Sequence, residues 1–230
     1  MAGKDMSAQR MTMIRFGLGL GLLIYFLFNV YLEDTNKLYK DITAEVNASK
    51  LLMDVERWQE VTRNTEKTFN YLFVELNITA YLNKTLLPED DKTKPARGMN
   101  LAANKFMSPS YTAARNIPLM VYQAIYRWYL LAGWFFTFLP LMIALALDGY
   151  YQWKMKRFVF GDVTIQLYRL WFRSLSIIGV LIIAYLVIPN MNLFYGLTQY
   201  FPPLALALLA IAINRLLAHY QALLNKSNFC

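Results

Sequence analysis

The stretch SLSIIGVLIIAYLVIPNMNLFYGLTQYFPPLALALLAIAIN, Ser174 to Asn214, runs for 41 residues without a charged side chain. A peptide group left unpaired in hydrocarbon costs several kcal/mol, so a chain crosses the roughly 30 Å core of a bilayer as helix, which takes about 20 residues. Twice that length, interrupted by Pro189-Asn190-Met191-Asn192 and again by Pro202-Pro203, predicts two helices joined by a short polar turn. The arms of this hairpin are predicted at residues 171–188 and 197–218.

Two further apolar runs lie toward the N-terminus. Residues 128–147, WYLLAGWFFTFLPLMIALAL, hold 20 residues without a charge and end at Asp148-Gly149. Pro140 in their middle cannot donate to the carbonyl of Phe136 and is expected to kink the helix. Residues 16–32 are preceded by Lys4, Arg10 and Arg15 and followed by Glu33-Asp34. The sequence Asn29-Val30-Tyr31-Leu32-Glu33 lacks the small residues a signal peptidase needs, so this run is expected to be an uncleaved signal anchor. The predicted class is an all-α membrane protein. It has four transmembrane helices and a helical extracytoplasmic insertion between the first and second spans.

Composition agrees. The 230 residues are 57% hydrophobic and 17% charged, with a mean hydropathy of +0.29. The single Cys230 and single His219 cannot form a disulfide within the chain or supply a zinc site. No GxSxG, HExxH, Walker or GxGxxG motif is present. No catalytic residue, metal or cofactor is therefore expected, and the chain is expected not to be an enzyme. Gly17-Leu18-Gly19-Leu20-Gly21 has no preceding strand to make it a phosphate loop. Gly17 and Gly21 lie one turn apart and would let a second helix approach closely, although glycine is also common in membrane helices for its own sake.

The net charge of +8 sorts by side of the membrane. Residues 1–15, 148–173 and 214–230 carry ten cations (Lys4, Arg10, Arg15, Lys154, Lys156, Arg157, Arg169, Arg173, Arg215, Lys226) against Asp5, Asp148 and Asp162. Residues 33–118 carry twelve of each sign, and Arg127 supplies the remaining charge at the mouth of the second span. The positive-inside rule then puts the N-terminus (1–15), the basic loop (148–170) and the C-terminus (219–230) in the cytoplasm of a bacterial inner membrane. Residues 33–127 form a periplasmic helical domain.

In that domain Leu38, Ile42, Val46, Leu52, Val55, Trp58, Val61, Phe69, Leu72, Leu76 and Tyr81 recur mostly at spacings of three or four, the pattern of an amphipathic helix. Such a stripe needs a neighbouring helix or a second copy of the chain, so a homo-oligomer stays open. The charged, Pro-bounded segment 88–95 separates a long helical hairpin from a looser segment, 96–127. Sequons at Asn47, Asn77 and Asn83 are short motifs that arise by chance, and the lack of outer cysteines fits a bacterial protein.

No span carries an ionisable group at its centre. Asn29, Thr137 and Asn214 are the polar exceptions, each as open to a functional role as to an interhelical hydrogen bond. Asp148 is expected to cap the following turn or to pair with Lys154 or Arg169. The stretch from Asp148 to Arg173 interleaves bases with aromatics, and its contact residues are taken as Asp148, Lys154, Lys156, Arg157, Arg169 and Arg173. Anionic lipid headgroups, at about 1 kcal/mol per cation, come first as their partner. An acidic protein surface comes second, and nucleic acid last. Gly161-Asp162 would break the loop and cap a helix running into the third span.

Pro140 in a span, Asp148-Gly149, the cluster Lys154/Lys156/Arg157, Gly161-Asp162, Tyr168-Arg169 and the closing hairpin together span about residues 128–224. In this order they resemble an uncharacterised membrane-protein family of integrating conjugative elements and large conjugative plasmids. Members often carry a His beside the Tyr, where this chain has Leu167 and Arg169. The resemblance implies an inner-membrane accessory of a type IV secretion system, encoded beside the coupling ATPase and contacting that ATPase or the transfer channel during DNA transfer. It implies no catalytic residues. The alternative from a different class is a small multi-span transporter or channel subunit, lined by the second span and the hairpin.

Overall fold

Asp34 stands directly before the first amphipathic run, and its carboxylate accepts the backbone N–H of Asn36 at 3.1 Å. This N-cap satisfies one of the donors that a helix start leaves without a partner. The computed structural model describes Gly17 and residues 19–86, 100–156, 163–189 and 197–219, and among them every element is helical. The elements are α1 (Gly19–Tyr31), α2 (Thr35–Ser49), α3 (Val55–Asn70), a π-helical turn (Tyr71–Glu75), α4 (Ile78–Leu86), α5 (Asn100–Lys156), α6 (Val163–Val187) and α7 (Leu197–Ala218).

Three of these, α5, α6 and α7, are long and apolar enough to cross a membrane. The fourth expected span corresponds to α1, an apolar helix shorter than that length over the described residues. The hairpin 171–218 appears as α6 and α7, which pack against each other with Tyr185 stacked on Phe201 at 4.6 Å between centroids. Exposed along the three long helices are Phe135, Phe136, Leu141, Ile143, Leu147, Leu170, Phe172, Ile177, Val180, Leu181, Ile183, Leu204 and Leu208. A water-facing surface does not tolerate so continuous an apolar cover, which points to membrane association.

The chain divides into two compact units. The first comprises residues 1–47, 62–125 and 188–191. Its core is Val30, Leu38, Ile42, Ala113 and Met120, flanked by Val46, Ile117, Leu119 and Tyr122. The apolar stripe on α2 thus finds its neighbour in the same chain, on the N-terminal half of α5. Thr35 donates to the Asn116 side-chain oxygen at 2.7 Å and Gln123 donates to Glu45 at 2.6 Å, so α2 and α5 run in the same direction here. Phe69 of α3 stacks on Phe73 and meets Tyr122 edge-on. Of the residues expected on the stripe, Val55, Leu76 and Tyr81 are instead exposed.

Two local features depart from the sequence reading. The expected long helical hairpin is broken into α2, α3, the π-turn and α4. After Ser49 the chain turns through Lys50 and Leu51, with Leu51 N–H on Ala48 O and Leu52 N–H on Ser49 O at 3.1 Å each. Before α4, Asn77 takes φ 53°, a left-handed conformation that Asn tolerates better than most residues. The segment 96–127, expected to be loose, is helical from Asn100 onward and continues without a break into the second expected span. At 1.5 Å per residue the 57 residues of α5 extend about 86 Å, nearly three times a bilayer core.

The end of α1 shows how its backbone groups are satisfied. The last carbonyls of a helix have no acceptor role inside it. Here the Asn116 side-chain amide donates to Asn29 O at 3.0 Å, to Glu33 O at 2.9 Å and, more weakly, to Val30 O at 3.4 Å. Nearby, Glu33 pairs with Lys37 at 2.7 Å and holds the Lys37 ammonium above the usual lysine range. Asn116 is fully buried, so an apolar replacement would leave those carbonyls without a partner. Each such loss costs about 1 kcal/mol or somewhat more. Asn116→Leu is expected to destabilise the protein by about 2–3 kcal/mol, read as a lower thermal unfolding midpoint in detergent.

Candidate functional site

The buried face of α5 follows a spacing of three and four through Ala113, Asn116, Met120, Gln123, Arg127 and Leu130. Three of the six are polar, and each of those three satisfies a group on another element. Arg127 is 1% exposed. Charged side chains are almost never this buried unless paired. Its Nη1 donates to Tyr185 O at 2.6 Å, and its guanidinium lies 4.9 Å from the Tyr185 ring centroid. Tyr185 O is among the last four carbonyls of α6, so Arg127 caps that helix and complements its negative end. Placing Arg127 as a leftover charge at the mouth of a span missed this role.

Both residues belong to the second compact unit, residues 48–61, 126–187 and 192–230. At the other end of its helices lies a second polar clamp. Asn214 of α7 donates to Leu145 O at 2.7 Å and to an Asp148 oxygen at 2.8 Å, while Gln152 donates to Asp148 at 2.8 Å. The expected pairing of Asp148 with Lys154 or Arg169 is corrected: amides hold it, because Asn214 arrives with the neighbouring helix at closer range. Of the two readings open for Asn214, the structure shows the interhelical hydrogen bond. A Cβ added to Gly149 would lie 2.5 Å from Asn214 O and 3.1 Å from its Cα. Glycine is what lets the α7 backbone come this close. Arg127 and Asp148 are 21 residues apart on α5, about 31 Å, which equals one hydrocarbon thickness.

The candidate contact residues divide as follows. Lys154, near the end of α5, and Arg169 and Arg173, one turn apart on α6, are exposed. Lys156 closes α5, and Arg157 lies outside the described residues. The stretch 148–170 is helical at both ends, over 148–156 and 163–170, and Gly161-Asp162 lies outside the described residues. Tyr150 and Tyr151 are exposed next to these cations, and Tyr150 meets Trp153 at 5.4 Å. Among the described residues nothing comes within 4 Å of a Cβ added at Gly17 or Gly21. Among the described residues no group of three or more His, Cys, Asp or Glu side chains comes together.

From residue 36 to residue 220 the sequence matches the family described as IncC plasmid conjugative DNA transfer protein DtrJ-like. The chain belongs to the DtrJ-like family. The match takes in α2 through α7 and leaves α1 outside it, whereas the sequence resemblance began only at about residue 128. The matched residues thus include α2 to α4 as well as the long apolar helices. No curated protein and no solved structure matches the chain.

For this DtrJ-like protein the closest helix approach offers a direct check. Gly149→Ala would force α5 and α7 apart against backbone atoms, which do not yield as a flexible side chain does. An overpacking cost of about 1–3 kcal/mol is expected, seen as a lower unfolding midpoint in detergent. Gly133→Ala, whose Cβ would meet only the Arg57 side chain at 3.7 Å, is expected to change the midpoint less.

Proposed function

We propose that this conjugative DNA transfer protein is a non-enzymatic component of the type IV secretion apparatus in the bacterial inner membrane. It binds the coupling ATPase or the transfer channel. Family membership over residues 36–220 carries this reading, because conjugative DNA must cross the inner membrane and helices of this length and apolarity belong there. The chain spans the membrane four times, with α1 as the first span and both termini in the cytoplasm, as the excess of Lys and Arg on that side supports. Residues between α1 and the apolar part of α5 lie mostly on the periplasmic side, within reach of the outer parts of the apparatus.

On the cytoplasmic side Lys154, Arg169 and Arg173 present exposed cations beside exposed aromatic rings. That combination suits anionic headgroups and, beyond them, an acidic surface on a membrane-bound ATPase. The protein's part is to hold and orient such a partner rather than to carry out chemistry. The test replaces Lys154, Lys156, Arg157, Arg169 and Arg173 together by Gln. Conjugation frequency is expected to collapse while the protein still inserts into the membrane and accumulates to the usual level. Normal transfer by this variant would take the basic stretch out of the mechanism. Crosslinking from Lys154 in donor cells is expected to capture the coupling ATPase or a channel protein.

A further inference from the structure

Residues 48–61, which close α2 and open α3, belong to the same compact unit as the apolar part of α5. Ser49 pairs with the Tyr126 hydroxyl, just before the uncharged run 128–147 begins. Eight residues on, Arg57 binds Gly133 O and donates to Thr137 Oγ1 at 2.5 Å, with its guanidinium 5.9 Å from the Trp134 ring centroid. Gly133 lies five residues inside the run that begins at Trp128, about 8 Å along the helix. The turn joining Ser49 to Arg57 therefore descends past the level at which α5 enters the apolar region.

This turn exposes two large apolar side chains as well as Lys50 and Asp54. Leu51 is 85% exposed and Val55 53%, with Leu52 and Met53 half-buried between them. Lys50 lies over the Trp58 ring at 5.2 Å, and Trp beside Lys is the pairing found at the headgroup level of bilayers. We infer that the α2–α3 turn, Lys50 to Val55, is dipped into the outer leaflet of the bilayer beside α5, with Leu51 and Val55 among the acyl chains, Lys50 and Trp58 toward the headgroups and the Arg57 guanidinium satisfied by Gly133 O and Thr137 of α5. The occupant of this surface is lipid. This rests on α5 spanning the bilayer.

The test uses the full-length protein with Cys230→Ser and single cysteines at Leu51, Val55, Lys67 or Leu141, each spin-labelled after reconstitution into phosphatidylethanolamine/phosphatidylglycerol vesicles. Labels at 51 and 55 are expected to be relaxed by oxygen far more than by a water-soluble nickel chelate, and the label at 67 the reverse. Leu141, in the middle of the run, reports on the span itself. If the label at 141 is buried in lipid while that at 51 is water-accessible, the inference is overturned and the span stands. Water accessibility at both positions would overturn both. Protection of position 51 that appears only when other transfer proteins are added would also overturn it, since the cover would then be protein. If a label disturbs folding, Leu51→Trp supplies an independent readout. Its added fluorescence is expected to be quenched by brominated lipid, and unquenched emission would count against insertion.

Discussion

A charge or an amide taken out of water has to be met by a partner inside the protein, and here one face of α5 supplies several of those partners. Asn116 meets the carbonyls that end α1, Gln123 meets Glu45 on α2, and Arg127 meets the carbonyl of Tyr185 near the end of α6. Each is buried, and each binds a polar group on another helix or at its end. α5 is therefore more than one span among several. Its buried face meets the end of α1 within the first unit and, separately, the end of α6 within the second.

Within the second unit this logic sets a length. Arg127 and Tyr185 hold one end of the helices, and Asp148, Gly149 and Asn214 hold the other. The stretch of α5 between them is apolar and largely exposed, and its length matches a bilayer core. Polar clamps at the two ends of the apolar stretch fix the helices against one another, and Arg57 binds Gly133 and Thr137 between them. The exposed Lys154 follows Asp148 on α5, and the exposed Arg169 and Arg173 are on α6. A partner binding there would act on a helix end held by Asn214 and by the close approach at Gly149.

Several of these features were legible from residue types alone. The hairpin of α6 and α7 follows from 41 residues without a charge and two proline-marked interruptions, because hydrocarbon admits no other backbone solution. The stripe on α2 at Leu38 and Ile42 was legible for the same reason, as apolar residues at helical spacing. The partner of that stripe was not. The matching face of α5 holds Asn116, Gln123 and Arg127, so hydropathy marks it as surface, although spacings of three and four run unbroken from Ala113 to Leu130. The break after Ser49 was equally hidden, since Lys50, Leu51, Leu52, Met53 and Asp54 include neither Gly nor Pro. Gly149 looked like the end of a span and turned out to be a point of contact.

By itself, then, the sequence determined the class of the protein. It marked the long apolar helices, the basic stretch that follows the second, the resemblance to a conjugative transfer family and the scarcity of Cys and His. Those properties depend on composition and period, which are local. Tertiary structure decided which buried polar side chain meets which carbonyl, that Asp148 is held by amides rather than by a cation, and that the turn after α2 descends beside α5. The physical reason is that a hydrogen bond between residues 58 or 87 positions apart leaves no mark in the local pattern of either. Only the packed helices bring donor and acceptor within 3 Å.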